Sequence, residues 1–276
     1  MFQRFKVDIN NISSITANME DYYIQAGESL FKKLDRSFEG DIQKYLNENK
    51  ELSADCIKKD WFPKIDCDIF ISHSHIDEEK ALAFSGWLYS EFNIISFIDS
   101  KLWKYTNNLL KKIDNIYTLN PNQETYDYEK RNYSTSHAHV MLSSSLVEMI
   151  HSSECLFFID GEGSSSFKND LETNTQSPWI YTELTVSEFI KTTIPARHIP
   201  EFLRKSAAGL EDFNLSESRV ATEDANLKVN YALLPILSKI PEVSYNTLDT
   251  WKEKKDKSDN KLKNLDILYT MMGINL

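Results

Sequence analysis

The sequence predicts an α/β protein built on an open parallel sheet with helices on both faces, and three observations carry that reading. Short apolar runs end abruptly in polar residues, amphipathic segments lie between them, and the connections are long enough to return the chain parallel to itself. The runs are Ile69 to Ile71, followed by Ser72-His73-Ser74; Ile94 to Ile98, followed by Asp99; and Leu156 to Ile159, followed by Asp160. In an open parallel sheet those strand ends are where ligands gather.

The remaining elements follow in chain order. Ile15, Met19, Tyr22, Tyr23, Ala26, Leu30, Phe31 and Leu34 recur at helical spacing and predict an amphipathic helix over 15–38, with a shorter one over 41–49. Residues 1–60 therefore read as a helical N-terminal extension that closes near Pro63, and 61–276 as the sheet domain. After the first run, Asp77-Glu78-Glu79 places acids where a helix dipole favours them, and Ala81, Phe84, Leu88 and Phe92 mark the buried face. Residues 100–136 are polar and rich in Tyr and Asn, predicting an extended loop with a helical patch over 102–113. Val140, Leu142, Leu146, Met149 and Ile150 predict the helix before the third run, and 161–177 a Ser/Gly/Asn loop. Ser177 then caps a helix whose first residue is Pro178 and which runs to about 191. The C-terminal part, 200–276, contains an acidic stretch over 210–226, a strand over 229–237, and helices over 246–255 and 261–272.

Composition narrows the function. The net charge of -11, with the one dense Lys run (Lys252 to Lys263) interleaved with acids, argues against nucleic acid as a partner. No apolar run approaches the roughly 18 residues needed to cross a bilayer, and the first residues lack a signal-peptide core. The expected location is the cytoplasm, with no membrane partner. Cys56, Cys67 and Cys155 form no Cys-x-x-Cys pair and fit reduced thiols, Cys67 and Cys155 as buried packing.

Trp179 and Glu183 stand four apart on one helix face, setting a flat aromatic surface beside a carboxylate. If that helix starts at the strand ends, Ser72, His73, Ser74 and Asp99 share its edge of the sheet. One carboxylate beside an aromatic platform suits cleavage of the bond between ribose and a pyridinium base. Nicotinamide leaves NAD as a neutral molecule, so no general acid is needed, unlike an ordinary glycosidic bond. A carboxylate near the developing oxocarbenium ion contributes about 2 to 4 kcal/mol on the scale of preorganised electrostatics. His73-x-His75 and His137-x-His139 would share a face on extended chain, but neither has a third ligand at metal spacing, so no metal is expected. Gly161-Glu162-Gly163 lacks a third glycine, and no P-loop is present; donors for a phosphate would be backbone N–H groups, Ser72, Ser74 and Lys101.

These motifs, in this order, resemble the TIR (Toll/interleukin-1 receptor) domains, especially the bacterial ones that consume NAD. Asp68 to Asp77 looks like the family's opening strand and loop, Phe97-Ile98-Asp99 with Lys101-Leu102-Trp103 like its second strand and BB loop, and Trp179-Ile180-Tyr181-Thr182-Glu183 like its catalytic helix. The resemblance spans residues 64 to 200. It implies a flavodoxin-like sheet, with NAD as substrate rather than as a cofactor. It also implies Glu183 as the catalytic residue, Trp179 beside it on the nicotinamide side, Asp99, Lys101 and Trp103 in the closing BB loop, and Ser72 and His73 along the nucleotide cleft. Stand-alone bacterial proteins of this kind resemble the TIR component of Thoeris anti-phage systems. That comparison implies an ADP-ribose-derived signal, linear or cyclic, sent to a separate effector, a phage-derived activator, and self-assembly. The chain departs from the family pattern in its N-terminal extension, in the stretch after Asp99, and after Arg197, where no fourth strand follows promptly.

Two rival readings remain at this level. TIR domains also act as adaptors by homotypic assembly without chemistry, and a nucleoside hydrolase or ribosyltransferase would share the α/β frame. The second requires an acid to protonate a purine leaving group, and no such residue stands out.

Overall fold

The chain alternates strands and helices around one parallel sheet. A computed structural model describes residues 1–34, 41–46, 48, 51–98, 100–122, 124–161, 166–169, 172–199, 230–256 and 260–275, with the backbone alone at 101–106, 166–169 and 172–173. Four strands, β1 (Gln3–Asp8), β2 (Ile69–Ser72), β3 (Ser96–Ile98) and β4 (Cys155–Asp160), pair in the order β1-β4-β2-β3, all parallel. The α/β class and the parallel sheet expected from the sequence are present.

Side-chain alternation divides the core into two layers. Ile69, Ile71, Cys155, Phe157, Ile159, Phe5 and Val7 face one layer, and Phe70, Leu156, Phe158 and Phe97 the other. The first layer is closed by α1 (Ile9–Thr16), α2 (Glu20–Leu34), α4 (Glu78–Phe92), α9 (Tyr245–Glu253) and α10 (Lys261–Met271). The second is closed by α3 (Ala54–Trp61), α5 (Ser100–Tyr117), α6 (Tyr128–Ser152), α7 (Pro178–Phe189) and α8 (Leu234–Leu237). A small antiparallel sheet of β5 (Ser166–Asn169), β6 (Glu172–Thr175) and β7 (Tyr231–Ala232) leads into α7.

The N-terminal segment is not a purely helical extension. Residues 3–8 form β1, paired with β4 from Gln3↔Cys155 to Asp8↔Asp160. Arg4, Lys6 and Asp8 interrupt the apolar pattern, so the segment lacks the run that marks the other strands. Its outer edge is also covered: the Lys6 N–H donates to the Pro241 carbonyl at 3.0 Å, and the Val243 N–H donates to the Lys6 carbonyl at 2.8 Å. The helix expected over 15–38 is two as far as residue 34, α1 and α2, broken at Ala17-Asn18-Met19, with 35–38 outside the described residues; among the described residues of 41–49 a 3₁₀ turn, Ile42–Tyr45, stands where a helix was expected.

The α2 helix lies directly on α4. A Cβ at Gly86 would stand 1.8 Å from the Tyr23 carbonyl oxygen, and one at Gly27 would stand 2.3 Å from that of Leu82, so two glycines permit backbone-to-backbone contact. The stretch 100–136 is not an extended loop: α5 fills its first half and α6 begins at Tyr128, with Asp114 buried between them and hydrogen-bonded to Ser134 and Arg131. Polar residues dominate the local composition, and tertiary packing of Leu109 and Ile113 decides the helix.

Two further expectations shift, and a third falls where nothing is described. Residues 161–177 include the paired strands β5 and β6, the strand over 229–237 shrinks to β7 followed by α8, and the acidic 210–226 lies outside the described residues. Helices α9 and α10 fall where predicted, with Trp251 stacked on Phe92 at 4.1 Å. Cys67 and Cys155 are buried, and Cys56 is exposed. Among the described residues no helix is long and apolar enough to cross a membrane.

Candidate functional site

Strand order fixes where a site belongs. The chain runs from β2 to its neighbour β3 and then crosses to β4 on the other side of β2, so the reversal falls at the carboxyl ends of β2 and β4, the place where open α/β sheets bind ligands. Those ends are Ser72 and Asp160, with Ser72 in register with Phe158.

The α7 helix delivers Glu183 there. Ser177 caps its first turn, its side-chain oxygen accepting from the Ile180 N–H, and Pro178 occupies a position where a missing N–H costs nothing. Ile180 and Leu184 bury against the second layer, which turns Glu183 inward. There the Ser72 hydroxyl donates to Glu183 Oε2 at 2.7 Å, and both residues are 0% exposed. Isolating a carboxylate from water carries a cost of several kcal/mol unless hydrogen bonds or charge compensate.

The turn after β2 folds over the same edge. His73 is 3% exposed and Asp77 4% exposed, while the Ser74 side chain accepts from the Ile76 N–H and leaves Ile76 projecting into solvent. Asp77 sits over the end of β4: a Cβ on Gly161 would lie 2.6 Å from its Oδ2, so a larger residue there would push that carboxylate aside. In the sequence Asp77 reads as a helix-dipole acid and Gly161 as part of a plain loop; their contact appears only once β2 and β4 are neighbours.

Trp179 lies one turn before Glu183, half-buried against the second layer, with its ring edge-to-face with His139 of α6 at 5.6 Å and 89° between planes. Partial burial pushes the His139 imidazole below its usual value, favouring the neutral ring. His137, two positions away, faces elsewhere and meets Tyr133 at 4.4 Å. The reading of His137-x-His139 as neighbours on extended chain therefore fails, because on a helix positions two apart diverge by about 200°. His139, which the sequence offered only as a metal candidate, stands against Trp179 at the edge of the candidate site. Among the described residues no group of three or more His, Cys, Asp or Glu stands close enough to hold a metal ion.

The structure thus brings together Ser72, His73, Trp179 and Glu183 at one sheet edge. Asp99 lies outside the described residues. The backbone of Lys101 and Trp103 belongs to the first turn of α5, a helix where the resemblance implied a loop. Comparison with known proteins finds no matching family model, no matching curated protein and no matching solved structure.

Proposed function

We propose that this chain is a TIR-type enzyme that cleaves the nicotinamide–ribose bond of NAD and releases an ADP-ribose-derived signal, linear or cyclic, in anti-phage defence of the Thoeris kind. The observation that carries the reading is the Ser72–Glu183 hydrogen bond, which holds a carboxylate at the carboxyl end of β2 with Trp179 one turn above it. Glu183 supplies the negative charge opposite the oxocarbenium ion, and Trp179 the flat surface beside the departing base. Neutral nicotinamide needs no acid to leave. In this conformation Glu183 is sealed from solvent, so turnover requires an opening at the strand-end turn or at α7. An enzyme that stays quiet until a phage-derived activator or self-assembly opens it would have this resting arrangement.

Incubating the purified chain with NAD, with and without lysate from infected cells, and resolving products by mass tests the reading. Nicotinamide release that vanishes in Glu183→Gln supports it; equal release from both proteins removes Glu183 from the mechanism.

The second reading, a non-catalytic scaffold acting by homotypic assembly, draws on the same burial: a carboxylate with no solvent exposure also suits a structural hydrogen bond between α7 and β2. It expects no turnover of NAD under any condition, together with concentration-dependent assembly.

A further inference from the structure

We propose that His139 is a binding residue of this site and that, with Trp179, it forms a corner for a planar cationic heteroaromatic ring, the pyridinium of a dinucleotide. The proposal rests on the NAD reading above for the identity of the ring, but not for the existence of the corner.

Position comes first. The α6 helix ends at Ser152, shortly before β4 begins at Cys155, so the two run back along each other. The helix from His139 to Ser152 covers a rise of about 20 Å. The strand β4, from Cys155 to Asp160, covers about the same distance at strand rise. His139 therefore stands level with the carboxyl edge of the sheet, and the ring contact puts it against Trp179 near the start of α7. Glu183 lies one helical turn further along α7, about 6 Å deeper at helix rise. Ring corner above, carboxylate below is the order in which a pyridinium and its ribose would need them.

Chemistry comes second. Two aromatic planes at 89° offer a flat guest one face to stack on and one ring to meet at its edge, the two arrangements that aromatic quadrupoles favour. The face of an indole also attracts a cation. A cationic guest requires that the second wall carry no positive charge, and the depressed basicity of His139, caused by partial burial, meets that requirement. His139 is still accessible from solvent, and Trp179 is only half-buried, so a small ring reaches the corner without the opening that Glu183 needs.

The test uses the full chain and two probes, neutral nicotinamide and the permanent pyridinium 1-methylnicotinamide, titrated while the Trp179 indole signals are followed by NMR. Wild type should bind both. His139→Ala should raise both dissociation constants roughly tenfold, the upper end for an aromatic contact, whereas His139→Phe, which keeps a neutral ring, should stay within about threefold. His139→Arg should weaken the pyridinium more than nicotinamide. Wild-type binding that His139→Ala leaves unchanged, or no response of Trp179 to either probe, overturns the proposal; His139→Phe guards against a merely unfolded alanine variant. Neither readout needs turnover. Probe binding that depends on His139 in a protein that leaves NAD intact keeps the corner and removes the NAD reading, and NAD turnover indifferent to His139 does the reverse.

Discussion

The Ser72 hydroxyl and the Glu183 carboxylate meet at 2.7 Å in a place neither can share with water. Ser72 is the last residue of β2 and Glu183 the sixth of α7, so one hydrogen bond ties one of the two inner strands to the helix at the reversal point of the sheet. Truncating the donor, Ser72→Ala, should cost about 1.5 to 3 kcal/mol of stability in urea unfolding, the range for a hydrogen bond to a charged group. Ser72→Thr should recover most of it.

Glu183→Gln separates structure from function at the same contact. The amide still accepts from Ser72 and no longer has to keep a charge out of water, so the midpoint of thermal unfolding should hold or rise. Nicotinamide release should fall at least about a hundredfold. A variant that lost stability and activity together would point to a structural glutamate.

The crossing of α2 over α4 predicts a sharp steric effect. Gly86→Ala drives a methyl group to 1.8 Å from the Tyr23 carbonyl oxygen, which is backbone and cannot swing aside. The helices must separate, with a loss of about 3 kcal/mol on the scale of overpacked cores. Gly27→Ala, at 2.3 Å, should cost less, and guanidinium midpoints of the two variants measure the difference.

Strand β1 predicts that the first residues are integral to the core. Phe5 is 0% exposed, packed on Phe157 and Tyr269. Phe5→Ala should destabilise by about 3 to 5 kcal/mol in chemical unfolding. An appended helical segment would tolerate the change.

A charged clasp at the opposite edge of the sheet predicts acid sensitivity. Arg197 bonds both Glu154, just before β4, and Asp266 of α10, and His198 Nε2 also meets Asp266 at 2.8 Å. Burial works to raise the Asp266 carboxyl, but the hydrogen bonds and charges of Arg197 and His198 outweigh it and hold it below the usual value. A depressed folded value means stability fully present above the unfolded pKa of about 4 and lost as pH falls through the lower, folded value. Asp266→Asn should flatten the decline of unfolding free energy below about pH 4, measured by urea melts at stepped pH.

Legibility followed the strength of the local signal. Strands β2, β3 and β4 were readable because continuous apolar runs serve both layers of a parallel sheet, and α7 because Ser177, Pro178 and the apolar positions agree. Strand β1 was not, since in this edge strand Arg4, Lys6 and Asp8 occupy the face opposite Phe5 and Val7, only half-buried, where ion pairs such as Lys6–Glu242 suffice. The helical patch over 102–113 was legible and lies within α5, but its full length and the start of α6 at Tyr128 were not, because they are held by contacts between α5 and α6, centred on Asp114, rather than by composition. Within the candidate site, the placement of Trp179 one turn before Glu183 was legible from their spacing of four. His139 was not, because it joins them from α6, a separate helix far upstream of α7 in the sequence.

The edge position of β1 has a cost in time as well as in space. Gln3 pairs with Cys155, more than half the chain away, and the strap that covers the outer side of the strand, at Pro241 and Val243, is further still. During synthesis the hexapeptide leaves the ribosome with neither neighbour made, and during refolding it must wait for the longest loop closures in the sheet. The slowest folding phase should therefore report the docking of β1, and chains interrupted before β4 should carry an unpaired strand that seeks partners in other molecules.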